Sequence, residues 1–554
     1  MDKFPQELVD RISGYLPRDD LKHTLTVSSK FRFAAERCSG AFTKFCLEEG
    51  NAKAFLDTYA NHRLLYLRHV EFRTKFSRLE YTRDPKIPCR ENADELREKD
   101  ETFTRQIKFL FTTVKTVEER AGEENFPGRV QLTIYTPTRL IDSGICLHRR
   151  FTSWRVHLLA PESLPELASI RSLEIQQGVE YSRFNKYDLA PSKLDLRVLV
   201  DLITRLPNLE YCGCQMGGDE WAPHFEEEAA RHFVHDWEGP RRDSRHDFAK
   251  AIRSTNLPDS LRRARLDFLN PLEEAENIDH RQRMPDLVSP APQDPFSSSL
   301  RLLSYHLRQL QLRVMADETL FWPGSEVTLS WPNLESLDVM FHMVSPSGSW
   351  YFEGPKGEGH DTAGFKITNS SYPPLEETSD DKDMDYELAE SGDRRSTTDN
   401  SHFRVAPNDT TLGLFIAGFA KAAAEMPSLR EAAIWSPLRW YPGEDLEEEY
   451  DLHPQNIRTS LAWGIAYIAP GGLALNTNPG ENYSQARQIW WKVAKWRPDP
   501  QLHDLFHQIG RQKHGEDLKE YWNDDEYGEE LIDRYVFEGF IFGDGEPGRI
   551  PTII

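Results

Sequence analysis

The chain has 554 residues, 38% of them hydrophobic and 11% aromatic, and 90 acids against 67 Lys plus Arg leave a net charge of -23. That length holds three or four ordinary domains, or one small module followed by a repeat array, with aromatic rings enough to fill a large core. An acidic surface repels phosphate backbones, and no run approaches the roughly 20 apolar residues of a membrane span, so neither nucleic acid nor membrane is an expected partner.

The first patterned segment is Phe4 to Leu16. Pro5 suits the first position of a helix, where its missing N–H would have no partner anyway. Glu7 falls in the first turn, at the positive end of the helix dipole. Leu8, Ile12, Tyr15 and Leu16 recur at i, i+4, i+7 and i+8 on one face, and Pro17 ends the helix. Asp19 or Asp20 can cap a second helix through Leu21 and Leu25, with Val27 and Phe31 continuing its apolar side. Helices this short are unstable alone, so their apolar faces must be covered, either by the rest of the chain or by another protein.

The residues Phe4-Pro5-x-Glu7-Leu8, Ile12, Tyr15-Leu16, Asp20-Leu21 and Val27-Ser28-Ser29-Lys30-Phe31 together resemble the F-box motif over about the first 45 residues. Ser13 departs from it, standing where the family usually has a second large aliphatic. The resemblance implies a three-helix module that docks on a Skp-family adaptor, which joins a cullin–RING ubiquitin ligase. The adaptor-facing positions carried over are Phe4, Pro5, Leu8, Ile12, Leu16, Leu21, Val27 and Phe31.

Beyond residue 50 an apolar-x-x-apolar-x-apolar pattern recurs, at Leu67/Val70/Phe72, Ile170/Leu173/Ile175, Leu209/Cys212/Cys214 and Leu261/Ala264/Leu266. It continues at Leu307/Leu310/Leu312, Leu334/Leu337/Val339 and Leu429/Ala432/Ile434. Leu206-Pro-Asn-Leu-Glu210, Trp331-Pro-Asn-Leu-Glu335 and Met426-Pro-Ser-Leu-Arg430 introduce three of them. The pattern resembles the strand signature of leucine-rich repeats, each unit adding one parallel strand to a curved sheet. Irregular spacing and the lack of a clear Asn or Cys ladder leave open an ordinary α/β domain whose strands follow Leu-Pro turns. Helices are expected between strands, around 195–206, 245–256, 299–309 and 411–426.

The expected fold class is therefore α/β, an N-terminal F-box over 1–48 followed by an irregular leucine-rich-repeat-like region over 49–372. Residues 270–299, rich in Pro and Ser, read as a loop, and the acidic stretch 373–402 as disordered. Residues 403–554 form a Trp-rich region completing the repeat domain. There Ala486, Ile489, Trp490, Val493 and Trp496 stand at helical spacing and predict a core-facing helix. Met426-Pro-Ser-Leu-Arg-Glu-Ala-Ala-Ile-Trp-Ser-Pro437 with Trp463-Gly-Ile-Ala-Tyr467 is similar to the C-terminal region of large fungal F-box proteins.

Nothing in the sequence marks catalysis: there is no nucleophile elbow, phosphate-binding Gly loop, His-Glu-x-x-His or dinucleotide fingerprint. The six cysteines, Cys38, Cys46, Cys89, Cys146, Cys212 and Cys214, form no disulfide framework. Cys212-Gly-Cys214 is too short for zinc spacing, and His224, His232 and His235 lack further ligands, so no metal and no cofactor is expected. Reduced thiols and the absence of an apolar leader suit a cytoplasmic or nuclear protein.

The sequence thus predicts a substrate-recognition subunit of a Skp–cullin–F-box ligase and no enzyme, with an F-box scaffold acting outside a ligase as the alternative. Strand positions between buried ones point outward, which nominates Glu174, Gln176, Glu210, Asp267, Gln311, Glu335, Asp338 and Glu431 as contacts to an unknown protein substrate. An acidic surface favours a basic target.

Overall fold

A computed structural model describes residues 4–80, 87–122, 130–142, 145–150, 152–178, 189–216, 237–270, 272–275, 278–324, 329–381, 400–442, 458–472, 485–522, 531–534 and 536–537. The chain opens with α1 (Gln6–Gly14), α2 (Arg18–Thr24) and α3 (Ser29–Cys38). Pro5 sits one position before α1 rather than inside it. Pro17 likewise precedes α2, which places Asp19 and Asp20 in its first turn instead of at its cap. Ser28 caps α3 by accepting the Phe31 N–H through its hydroxyl. Arg37 pairs with Asp10 at 2.9 Å and the Gln6 amide donates to the Lys30 carbonyl, tying α3 to α1.

The body of the protein is mixed α/β with one large, mostly parallel sheet. Its main path contains β1 (Lys44–Leu47), β2 (His69–Lys75), β3 (Val130–Leu140), β4 (Ile170–Gln176), β5 (Tyr211–Gln215) and β6 (Arg263–Asp267). It continues through β7 (Gln309–Val314), β8 (Ser336–Phe341), β9 (Glu431–Trp440), β10 (Arg458–Ile468), β11 (Arg487–Lys492) and β12 (Leu518–Trp522). Spatial order follows chain order throughout. Strands β1 to β9 are all parallel; β10 is antiparallel to both neighbours, and β11 and β12 pair in parallel. The sheet therefore runs across the boundaries expected at 48, 372 and 403.

The second and third apolar positions of every apolar-x-x-apolar-x-apolar segment lie on one of these strands, and the register lines the second positions up with Leu132 of β3: Val70, Leu132, Leu173, Cys212, Ala264, Leu310, Leu337 and Ala432 form one row. Against this face pack helices α4 (Ala93–Ala121), α5 (Arg197–Ile203), α6 (Glu238–Ser254), α7 (Pro295–Ser304) and α8 (Asp409–Ala424), sharing one core with the strands. Parallel neighbours need a crossover, and a helix laid on the apolar face supplies it. The Pro-containing turns before the strands stack as well. Asn208 donates to the Ala168 carbonyl, Ser260 to that of Pro207 and Ser428 to that of Pro332, so each turn rests on the preceding one.

Two expectations are corrected, and a third lies mostly outside the described residues. Residues 270–299 are not a featureless loop: α7 starts at Pro295, capped by the fully buried Asp294, which accepts the Phe296 and Ser297 N–H groups. Pro295 at the first position marked a helix start that the surrounding Pro and Ser residues obscured. The acidic stretch 373–402 falls mostly outside the described residues, but Asp381 at its near end is buried and paired with Arg90 at 2.7 Å. The helix expected at Trp490 is strand β11. Ile489 and Trp491 face the core while Trp490 stacks on Tyr521 across the other face, a period of two that aromatic and β-branched residues prefer.

Gly464 in β10 lies where no side chain fits. A Cβ there would stand 2.5 Å from the Trp435 Cβ and 2.9 Å from the Ile434 carbonyl oxygen. Gly464→Ala is expected to cost about 1–3 kcal/mol by overpacking, readable as a lower denaturation midpoint at unchanged slope.

Candidate functional site

The N-terminal helices bury one set of side chains and expose another. Val9, Ser13, Leu21, Ala34 and Ala35 are buried, the lining of a small internal core. Phe4, Leu8, Ile12, Tyr15 and Val27 are 50%, 48%, 47%, 78% and 48% exposed. Among the described residues eleven large hydrophobics are exposed, and six of them, Leu25 included, lie between Phe4 and Val27. Isolated exposed apolar side chains are ordinary; this concentration on one short segment marks an interaction surface. Among the described residues none covers it.

The positions carried over from the F-box resemblance accordingly divide. Phe4, Pro5, Leu8, Ile12 and Val27 are exposed, and Leu16 and Phe31 are partly buried. Leu21 is buried and belongs to the module's own packing, a correction that follows from α2 turning its apolar side inward. Ser13 also faces inward, with its hydroxyl unpaired, so its cost falls on the module rather than on docking.

Buried polar contacts fix this module to the sheet. Glu36 on α3 accepts from Arg63 at 2.6 Å and from His62 at 2.7 Å, and the Tyr66 hydroxyl donates to the Phe33 carbonyl. Burial by itself raises the Glu36 carboxyl pKa, but the Arg63 and His62 hydrogen bonds outweigh it and hold it below the usual carboxylate range. A depressed folded-state pKa contributes stability above the unfolded value and loses it as pH falls through the folded one. The stability gap between wild type and Glu36→Gln is therefore expected to be widest near neutral pH and to close on acidification below the carboxylate range, as read by denaturant titration at each pH.

The other face of the sheet is polar. One register row carries Glu71, Thr133, Glu174, Gly213, Arg265, Gln311, Asp338 and Ala433. Of the expected substrate contacts, Gln176, Gln311 and Glu335 are half-buried, and Glu210 and Glu431 are exposed. Glu174, Asp267 and Asp338 are buried instead of pointing into solvent. Tyr211 donates to Glu174, whose carboxyl occupies the room left by the missing side chain of Gly213. Asp267 takes the Leu269 N–H at 3.0 Å and pairs with Arg313, while Trp435 donates to Asp338. A second apolar cluster, including Leu269, Met340, Trp435 and Phe537, roofs this end of the face. Burial drives all three carboxyls above the usual range, Asp338 well above it. The exposed acids lie at the strand-leading rim, where Arg171 pairs with Glu210 at 3.0 Å and Ser336 donates to Glu431. The eight residues thus form no single site.

Cys212 and Cys214 are buried strand residues facing the core, and burial raises the Cys212 thiol to about 12. His224, His232 and His235 lie outside the described residues. Sequence reasoning missed two convergent clusters: Cys89, Cys146 and His148, and His503, His507 and Glu520. The i, i+4 spacing of His503 and His507 on α9 (Pro500–Gln508) was a legible signal for the second. In the first, Cys89 and Cys146 are joined by a disulfide across a separation of 57 residues, which spacing does not reveal. No helix among the described residues is long and apolar enough to cross a membrane. No known family model matches the chain, and no curated protein matches it significantly.

Proposed function

We propose that the chain is the substrate-recognition subunit of a Skp–cullin–F-box ubiquitin ligase, with the N-terminal helices as the F-box. The observation that carries this reading is the uncovered apolar face of Phe4, Leu8, Ile12, Tyr15 and Val27, coinciding with the residues that resemble the motif. Docking of apolar helical anchors into an adaptor groove accounts for side chains left in water at a cost. The parallel sheet, with turns stacked in chain order, supports a degenerate leucine-rich-repeat-like receptor region. Ubiquitination then needs no catalytic group here, since holding a target lysine beside a charged conjugating enzyme raises its effective concentration. The net charge of -23 favours a basic target.

Affinity capture of the tagged full-length chain from a eukaryotic extract tests this. Co-purification of a Skp-family adaptor together with a cullin and its RING subunit is the expected result. Adaptor without cullin moves the protein to a scaffold role outside a ligase, and neither partner refutes the F-box assignment.

A further inference from the structure

We propose that Cys89, Cys146 and His148 form a binding site for one zinc ion when the two cysteines are reduced. His148 Nδ1 stands 3.1 Å from the Cys89 sulfur and 3.4 Å from the Cys146 sulfur, so three soft or borderline donors converge on one point. Cys146 and His148 are neighbours in the segment after β3, and the fold brings Cys89, just ahead of α4, up to them from 57 and 59 positions away. Two thiolates and an imidazole are the donor set zinc prefers, and water completes a tetrahedron.

The surroundings fit a ligating histidine. His148 Nε2 faces the buried Asp381 carboxylate at 3.6 Å, the same carboxylate that takes two N–H groups from Arg90. A carboxylate behind the non-ligating nitrogen is the usual outer support of a metal-bound imidazole. His148 Nε2 also lies 3.1 Å from an Arg90 nitrogen. As placed, Nε2 accepts from Arg90 and Nδ1–H faces the sulfurs; metal ligation needs the other tautomer, with Arg90 turning aside and Nε2–H closing the 3.6 Å gap to Asp381. The neighbouring charges are already matched, Arg90 with Asp381 and Arg149 with Glu95, so a centre of two thiolates and a divalent ion adds no net charge to a buried place.

The structure joins the two sulfurs to each other, which is the oxidised form of the site. A dithiol reductant breaks that bond: the cysteines gain two electrons and two protons, and the reductant closes into its own disulfide. Zinc then displaces both thiol protons. Metal binding and the disulfide are mutually exclusive, and bound metal protects the pair from oxidation.

The test uses the full-length chain carrying no polyhistidine tag, purified with dithiol and zinc and desalted anaerobically. Elemental analysis is expected to find about one zinc per chain, falling at least tenfold in Cys89→Ser/Cys146→Ser and unchanged in His503→Ala/His507→Ala. Cobalt loaded into the wild-type chain is expected to give a near-ultraviolet thiolate charge-transfer band with tetrahedral visible bands, a reading independent of how any variant folds. Wild-type protein without zinc, zinc retained in the double-serine variant, or cobalt without a thiolate band each overturns the proposal. None of these readings depends on whether the N-terminal helices bind an adaptor.

Discussion

Leu8→Ala/Ile12→Ala is expected to abolish adaptor binding while leaving the fold intact. Both side chains are about half exposed in the free chain, 48% and 47%, so their truncation removes little internal packing. Surface changes of this kind shift stability by no more than about 0.5 kcal/mol. At the centre of a helix-in-groove interface, truncating an apolar anchor costs about 2 kcal/mol or more. Two such losses amount to roughly a thousandfold in Kd, enough to remove the adaptor from a pull-down. Val9→Ala makes the informative contrast: Val9 is buried inside the module, so that variant is expected to lose stability before affinity. Isothermal titration with purified adaptor, beside thermal melts of each variant, separates the two. Unchanged adaptor affinity in the double variant would remove the F-box reading.

The second large effect lies in a segment whose composition reads as loop. Asp294→Ala is expected to destabilise the protein by about 4 kcal/mol, the magnitude typical of stranding one member of a buried ion pair with a lost helix cap added. Asp294 is fully buried, accepts two backbone N–H groups of α7 and the Ser297 hydroxyl, and holds the buried Arg245 guanidinium at 2.7 Å. Removing the carboxylate leaves that guanidinium in the core with the Met315 carbonyl as a remaining partner at 3.0 Å. Equilibrium urea unfolding gives the number. A loss below about 1 kcal/mol would show that the region relaxes and that its burial is not structural.

The strands were legible because burial on one face imposes an apolar pattern that survives irregular repeat spacing: Leu173 and Ile175, or Leu310 and Leu312, read as strand wherever they fall. Trp490 misled because helical and strand spacings coincide over a short run, and length alone does not separate them.

The exposed helical face was legible in its residues, since an i, i+4, i+7 stripe must be covered by something. What leaves it open is tertiary: α1 turns Val9 and Ser13 inward and Leu8 and Ile12 out, while Leu21 is consumed by the module's own core. The polar rows of the sheet show the opposite limit. Alternation correctly assigns Glu174, Asp267 and Asp338 to the face away from the helices, but alternation fixes only the side of a strand. Whether that side meets water depends on Tyr211, Arg313 and Trp435 from neighbouring strands and on the Leu269 segment that folds back over it. Sequence by itself determined the local period, the helix stops and the Pro-containing turns before strands, because these rest on residues close in the chain. Tertiary structure alone decided which acids are buried and that Cys89 meets Cys146 and His148, because those contacts join residues tens to hundreds of positions apart.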